Sequence, residues 1–143
     1  MKTKKLLVIV PFLLLIMGMG SCEDKISVID LYHTWRFQEF GNTNDNYFEK
    51  ANPSDCDKCY VLIFSEDGTL SGHSTTNSFS GEYTIDGKDI KIINFIRTKI
   101  YESGSGEKYL EKMNQIQHYE IIDNKLKLYY NQRQNYLLFN PLN

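Results

Sequence analysis

The 143-residue chain predicts a mainly β fold: a compact antiparallel meander of barrel-like form, with one amphipathic helix at about residues 107–116. Three observations predict it. Short runs rich in β-branched and aromatic residues alternate apolar and polar positions at period two. Turn dipeptides separate these runs at short intervals. One segment alone repeats its apolar residues at steps of three and four.

The first strand is expected within residues 31–40, where Trp35, Phe37 and Glu39 share a face. Residues 41–58 are dense in Asn, Asp, Gly, Pro and Ser and read as a long loop. Residues 60–64 are the next strand, and Asp67-Gly68 turns it back toward Thr69 and Leu70. Asp-Gly is a strong hairpin signal because both residues of the favoured two-residue turn reach positive φ. Asp86-Gly87 joins residues 81–85 to 89–95, and Asp123-Asn124 joins residues 119–122 to 126–130. Residues 136–139 are the closing strand. Runs joined this tightly pair with their neighbours in sequence, which makes a meander. Gly104-Ser105-Gly106 enters the helix with Ser105 as N-cap, and Tyr109, Leu110, Met113 and Ile116 form its apolar stripe.

The N-terminus has a different character. Lys2, Lys4 and Lys5 precede an apolar run from Leu6 to Met19, and the small residues Gly20 and Ser21 precede Cys22. Basic, apolar and small segments in that order are the parts of an export signal. The run is short of the ~20 residues a spanning helix needs. Met19-Gly20-Ser21-Cys22 resembles a lipobox, with Met19 at the usual Leu position. That resemblance implies a signal peptide over 1–21, cleavage before Cys22, and acylation of its thiol and new amine. Residues 22–30 are then an acylated N-terminus and tether, and residues 31–143 the domain. An ordinary secretory signal with a chance Cys and an uncleaved anchor are the alternatives. Two or three acyl chains anchor stably, since each buried CH₂ contributes about 0.8 kcal/mol. Glu23-Asp24 resembles the acidic signal that routes some lipoproteins to the outer membrane or cell surface.

Without residues 1–21 the chain keeps 13 basic and 18 acidic residues, a charge of −5. An acidic domain with no basic stripe argues against nucleic-acid binding and against docking on anionic lipid heads. Its length is one domain's worth.

With Cys22 acylated, Cys56 and Cys59 remain as a pair, and an oxidising compartment favours a disulfide between them. The alternatives for this CxxC are a redox centre or half of a metal site. A redox role needs a thiol pKa lowered at a helix N-terminus, whereas a strand follows here and Asp55 and Asp57 oppose the thiolate. A zinc site needs two further ligands, and His33, His73 and His118 are scattered. No metal or cofactor is expected. Ser71, Ser74, Ser78 and Ser80 sit in no nucleophile-elbow pattern. Tyr129, Tyr130 and Tyr136 either line a ligand groove or are half-buried sheet residues with wet hydroxyls.

Some of these residues resemble a known family. Leu31, Thr34 and Trp35, then Phe64, Asp67-Gly68-Thr69-Leu70-Ser71-Gly72, then Asn77, Gly81 and Tyr83 match the spacing of META domains, similar to the HslJ-like lipoproteins. Thr76 replaces that family's Cys before Asn. The resemblance implies an antiparallel barrel-like domain with one helix in an envelope lipoprotein, and it implies no enzyme.

The function expected is therefore that of an envelope-anchored lipoprotein, a non-catalytic binding or interaction module with a stress or envelope role. Its partners would be the bilayer, through Cys22, and an unidentified protein, peptide or lipid. The alternative is a secreted hydrolase or a thiol-redox protein using the Cys56/Cys59 region. A purely structural or stress role is the remaining reading.

Overall fold

The computed structural model describes residues 28–142. The expected signal peptide, Cys22 and most of the tether lie outside the described residues. A short 3-10 turn, Val28–Leu31, comes first among the described residues. Nine strands follow: β1 Thr34–Asn42, β2 Phe48–Lys50, β3 Val61–Phe64, β4 Thr69–His73, β5 Ser78–Asp86, β6 Asp89–Arg97, β7 His118–Ile122, β8 Lys125–Tyr130 and β9 Asn135–Pro141. One helix, α1, spans Gly106–Met113 between β6 and β7. The fold is mainly β and antiparallel, as the alternating runs and turns predict.

The sheet runs β2-β1-β3-β4-β5-β6-β7-β8-β9 and returns on itself through β1–β9, giving the barrel-like form. β1 is the hub. One edge pairs with β9 from Trp35 to Asn42, and the other pairs first with β3 and then with β2. The seam is narrow between β6 and β7, where Asp89↔His118 is the single residue pair.

The first-strand register departs from the expected one. A β-bulge between Phe37 and Glu39 adds one residue to β1 opposite β9. An extra residue reverses which side chains point inward. Trp35 and Phe37 are buried, then Phe40, while Glu39 is only half-buried. The expected loop at 41–58 is also shorter, because β1 extends to Asn42 and β2 pairs back onto it. Period-two reading misses β2 because three residues carry too little pattern.

The three turns differ in type. At Asp123-Asn124 both residues have positive φ, 51° and 60°, as a type I′ turn requires. In the β5–β6 turn Asp86 still pairs with Asp89, so Gly87 and Lys88 are the turn residues and only Gly87 (φ 61°) is left-handed. That matches a II′ turn with Gly first. In the β3–β4 turn Gly68 (φ 84°) alone is left-handed. Gly68 N–H donates to Ser65 O, Ser65 N–H donates to Thr69 O, and Asp67 accepts from Thr69 N–H at 2.9 Å. A fourth hairpin, β8–β9, places Asn131, Gln132 and Arg133 in succession at positive φ. No Gly marks that turn in the sequence.

α1 ends three residues earlier than expected, with Asn114 as its C-cap. Ile116 still completes the apolar stripe, buried in the turn that follows. Ser105 stands at the N-cap position but makes no side-chain cap bond; its Oγ instead accepts from Asn52 N–H at 3.2 Å. Tyr109 is wholly buried and lies against Phe37, Tyr60, Phe79 and Phe139 at ring separations of 5.0 to 6.3 Å. With Trp35, Leu62, Leu126, Leu128 and Leu137 this cluster forms the core of the barrel-like sheet.

Candidate functional site

One end of the sheet is formed by the β4–β5 turn, residues 74–77, and by the chain leaving β6. The turn is Ser-Thr-Thr-Asn, a dense set of hydrogen-bond donors. Glu102 projects into it. One carboxylate oxygen accepts from Ser74 Oγ, Asn77 Nδ2 and Asn77 N–H; the other accepts from Thr75 Oγ1 and Thr76 N–H. Burial alone would raise the Glu102 pKa, but these hydrogen bonds outweigh it and hold the pKa below the ordinary value. The side chains of Ser74, Asn77 and Glu102 are all buried.

Asn77 extends the clamp outward. Its Oδ1 accepts from Thr98 Oγ1 (2.7 Å) and Ile100 N–H (2.8 Å), and its Nδ2 donates to Ile100 O (2.7 Å). Thr98 N–H donates to Ser78 O. Residues 96–101 are thereby fixed along the rim, yet all six are exposed. Among them Tyr101 is 90% exposed, Ile96 66% and Ile100 59%. A surface cavity of about 390 Å³ adjoins Ile96, between it and Phe79, Ser78 and Ser80. Large apolar side chains thus stand outward on a pinned backbone.

Cys56 and Cys59 are disulfide-bonded, with Cα atoms 5.3 Å apart. The loop has other supports. Arg36 donates to Cys56 O and Asp57 O, Tyr60 OH donates to Asn52 O, and Ala51 N–H donates to Gln38 O. A Cys56→Ser, Cys59→Ser double variant should therefore stay folded. So small a closed loop adds about 2 kcal/mol or less, so melting should fall by roughly a few degrees. Thiol titration of the denatured, unreduced protein should find no free thiol at these positions, and two free thiols would contradict the pairing.

The histidines do not converge. His33 stacks edge-on against Trp35, and His73 Nδ1 lies 2.8 Å from Ser74 O. His118, at the β6–β7 seam, is buried with Nδ1 2.9 Å from Asp89 Oδ1 and Nε2 3.9 Å from Glu120 Oε1. Asp89 also faces Arg133, and these contacts hold its pKa low, the His118 hydrogen bond foremost. An open cavity of about 630 Å³ borders the seam, lined by Ile85, Asp89, Ile90, Lys91 and Ile116 among others. His118 does not line it, nor does any Ser or Cys. The His118–Asp89 contact bridges β6 and β7 at the seam. Among the described residues no group of three or more His, Cys, Asp or Glu is placed to hold a metal.

The tyrosines named from the sequence are sheet residues. Tyr129 and Tyr130 are buried, and Tyr129 OH donates to Glu120 while its ring meets Tyr136 at 5.9 Å. Lys127 lies over the Tyr136 ring. Sequence reasoning misses Glu102. Its one signal is the juxtaposition of a donor-rich turn with a lone acid just before the helix entry, and that pairing needs the fold to be visible.

The comparisons with known proteins bear on family and fold. A family model described as "Domain of unknown function (DUF4847)" matches residues 23–141. No curated protein matches the chain. A crystal structure of a DUF4847 family protein from Bacteroides vulgatus superposes with a TM-score of 0.62 at 21% identity, covering 81% of this chain and 98% of that one. An NMR structure of a protein from Burkholderia xenovorans gives a TM-score of 0.62 at 19% identity, covering 78% and 82%. These likenesses establish the fold. The resemblance to META and HslJ-like domains is corrected by the family match. Its physical origin is visible here. Tyr83 N–H donates to Gly68 O and Tyr83 OH donates to Ser65 O at 2.6 Å, so the spacing from Asp67-Gly68 to Tyr83 records a hairpin packed against the next strand. Antiparallel meanders of other families can carry the same spacing.

Proposed function

The chain belongs to the DUF4847 family, and with that membership as premise we propose that it is an exported, lipid-anchored protein whose domain is a non-catalytic interaction module. Anchoring is read from the Ser21-Cys22 junction and its preceding basic and apolar segments. The site of interaction is the rim segment 96–101. The observation that carries this reading is the clamp: two buried polar residues, Asn77 and Glu102, hold a backbone whose apolar side chains face solvent. Loops left to function alone are usually mobile; this one is pre-ordered, which lowers the entropy lost on contact. The filled interior and the uncoupled histidines support a surface-contact role over catalysis.

The test is a photo-crosslinking amino acid placed at Tyr101 and, as control, at exposed Glu111 on α1. In intact cells the Tyr101 position should give a defined adduct, to protein or to lipid, and the Glu111 position should not. Equal adducts from both, or none from Tyr101, would contradict the assignment of the site.

A further inference from the structure

Arg36, on β1, differs from the other arginines. Arg97 is paired with Glu107 and Arg133 with Asp89. The Arg36 guanidinium meets backbone carbonyls, those of Cys56 and Asp57, and among the described residues no carboxylate pairs with it. Its Nε is buried and has no hydrogen-bond partner. A buried donor without an acceptor is costly, and a half-buried charge without a counter-ion adds to that cost.

The same side chain lines a partly enclosed cavity of about 90 Å³, together with Gln38, the loop residues Ala51, Pro53 and Ser54, and both cysteines of the disulfide. That volume equals roughly three waters of liquid. We propose that the cavity binds a short-chain monocarboxylate of acetate size, whose carboxylate accepts from Arg36 Nε. The site is separate from the rim and stands without it.

The donors, the charge and the walls each select this class. A guanidinium edge suits a planar carboxylate. Gln38 Nε2 donates one N–H to Arg36 O at 3.1 Å and keeps a second, and the Ser54 hydroxyl is a further donor on the cavity wall. One unbalanced positive charge matches one negative charge. The adjoining loop adds Asp55, Asp57 and Lys58, two acids against one base, which disfavours a doubly charged oxyanion such as sulfate. Phe37 and Ala51 are buried and, with Pro53, give a methyl group apolar contact. The cysteine pair gains a place in the same account. Arg36 rests on Cys56 O, so the Cys56–Cys59 bond holds the wall against which the guanidinium is set.

The experiment follows the arginine Nε–H signals of the ¹⁵N-labelled full-length protein, in neutral detergent, by NMR. Arg97→Lys and Arg133→Lys, at exposed ion pairs, identify their own signals and leave that of Arg36 by elimination. Sodium acetate then replaces sodium chloride at constant ionic strength. The Arg36 signal should move downfield and saturate, with half-saturation at roughly millimolar acetate, the strength open to a ligand of so few atoms. The Arg97 and Arg133 signals should stay in place, and acetamide, the neutral isostere, should move nothing. No saturable shift with acetate overturns the proposal, as does an equal shift with acetamide. An equal shift with sulfate also overturns it, since ordinary ion pairing at a guanidinium then accounts for the effect. Magnetisation transfer from a long-lived bound water to Arg36 Nε–H, unchanged by acetate, overturns it in favour of an ordered water in the cavity.

Discussion

Replacing Glu102 with Gln lowers the melting temperature by roughly 10 °C at neutral pH, because about 2–3 kcal/mol is lost when an amide replaces a buried carboxylate that only accepts. Both carboxylate oxygens receive donors, from Ser74, Thr75 and Asn77 side chains and from Thr76 and Asn77 backbone. A Gln side chain turns one NH₂ toward donors whichever way it is flipped. The effect has a pH signature. The folded pKa of Glu102 is lowered from its ordinary 4.5. A carboxylate of this kind contributes stability that is present above the unfolded pKa and lost as pH falls through the folded pKa. The gap in stability between wild type and the Gln variant should therefore be widest near neutral pH and close in acid, below about 4.5. Denaturant titrations of both proteins across pH measure it. A gap that is constant with pH would show that Glu102 is not ionised in its cage, and no gap at neutral pH would show that the cage adds nothing.

Glu102 also marks where sequence reading stops. Strands β3 to β9 were legible because alternation and turn chemistry are local. Asp123-Asn124 specifies a I′ turn from two residues, and the stripe from Tyr109 to Ile116 specifies one helical face. What was not legible depends on partners distant in the chain. The bulge that turns Glu39 away from the buried face is defined only against β9, about a hundred residues on. β2 exists because Phe48 and Glu49 pair with Gly41 and Phe40, not because three residues favour a strand. The turn at residues 74–77 reads as an ordinary polar loop until Glu102 arrives from beyond β6. The family resemblance failed for the related reason that its positions were turn and strand positions, shared by meanders in general.

The second large effect concerns location. Changing Cys22 to Ser should move the protein from the membrane fraction to the soluble fraction, since it removes every acyl chain at once. No described helix is long and apolar enough to cross a membrane. Once the proposed signal is cut, anchoring by lipid therefore has no helical substitute among the described residues. The variant's domain should melt as wild type does, with Cys22 six residues ahead of the first described turn. A Ser variant still wholly in the membrane fraction would mean that the anchor lies elsewhere.

Metabolic labelling with an alkyne fatty acid tests the anchor most directly. Cells expressing wild type and Cys22→Ser are fed alkyne-palmitate, and the two proteins are purified under denaturing conditions and coupled to a reporter. The account predicts label on wild type, none on the variant, and a mature wild-type mass that begins at Cys22. Wild-type protein that carries no label would contradict it.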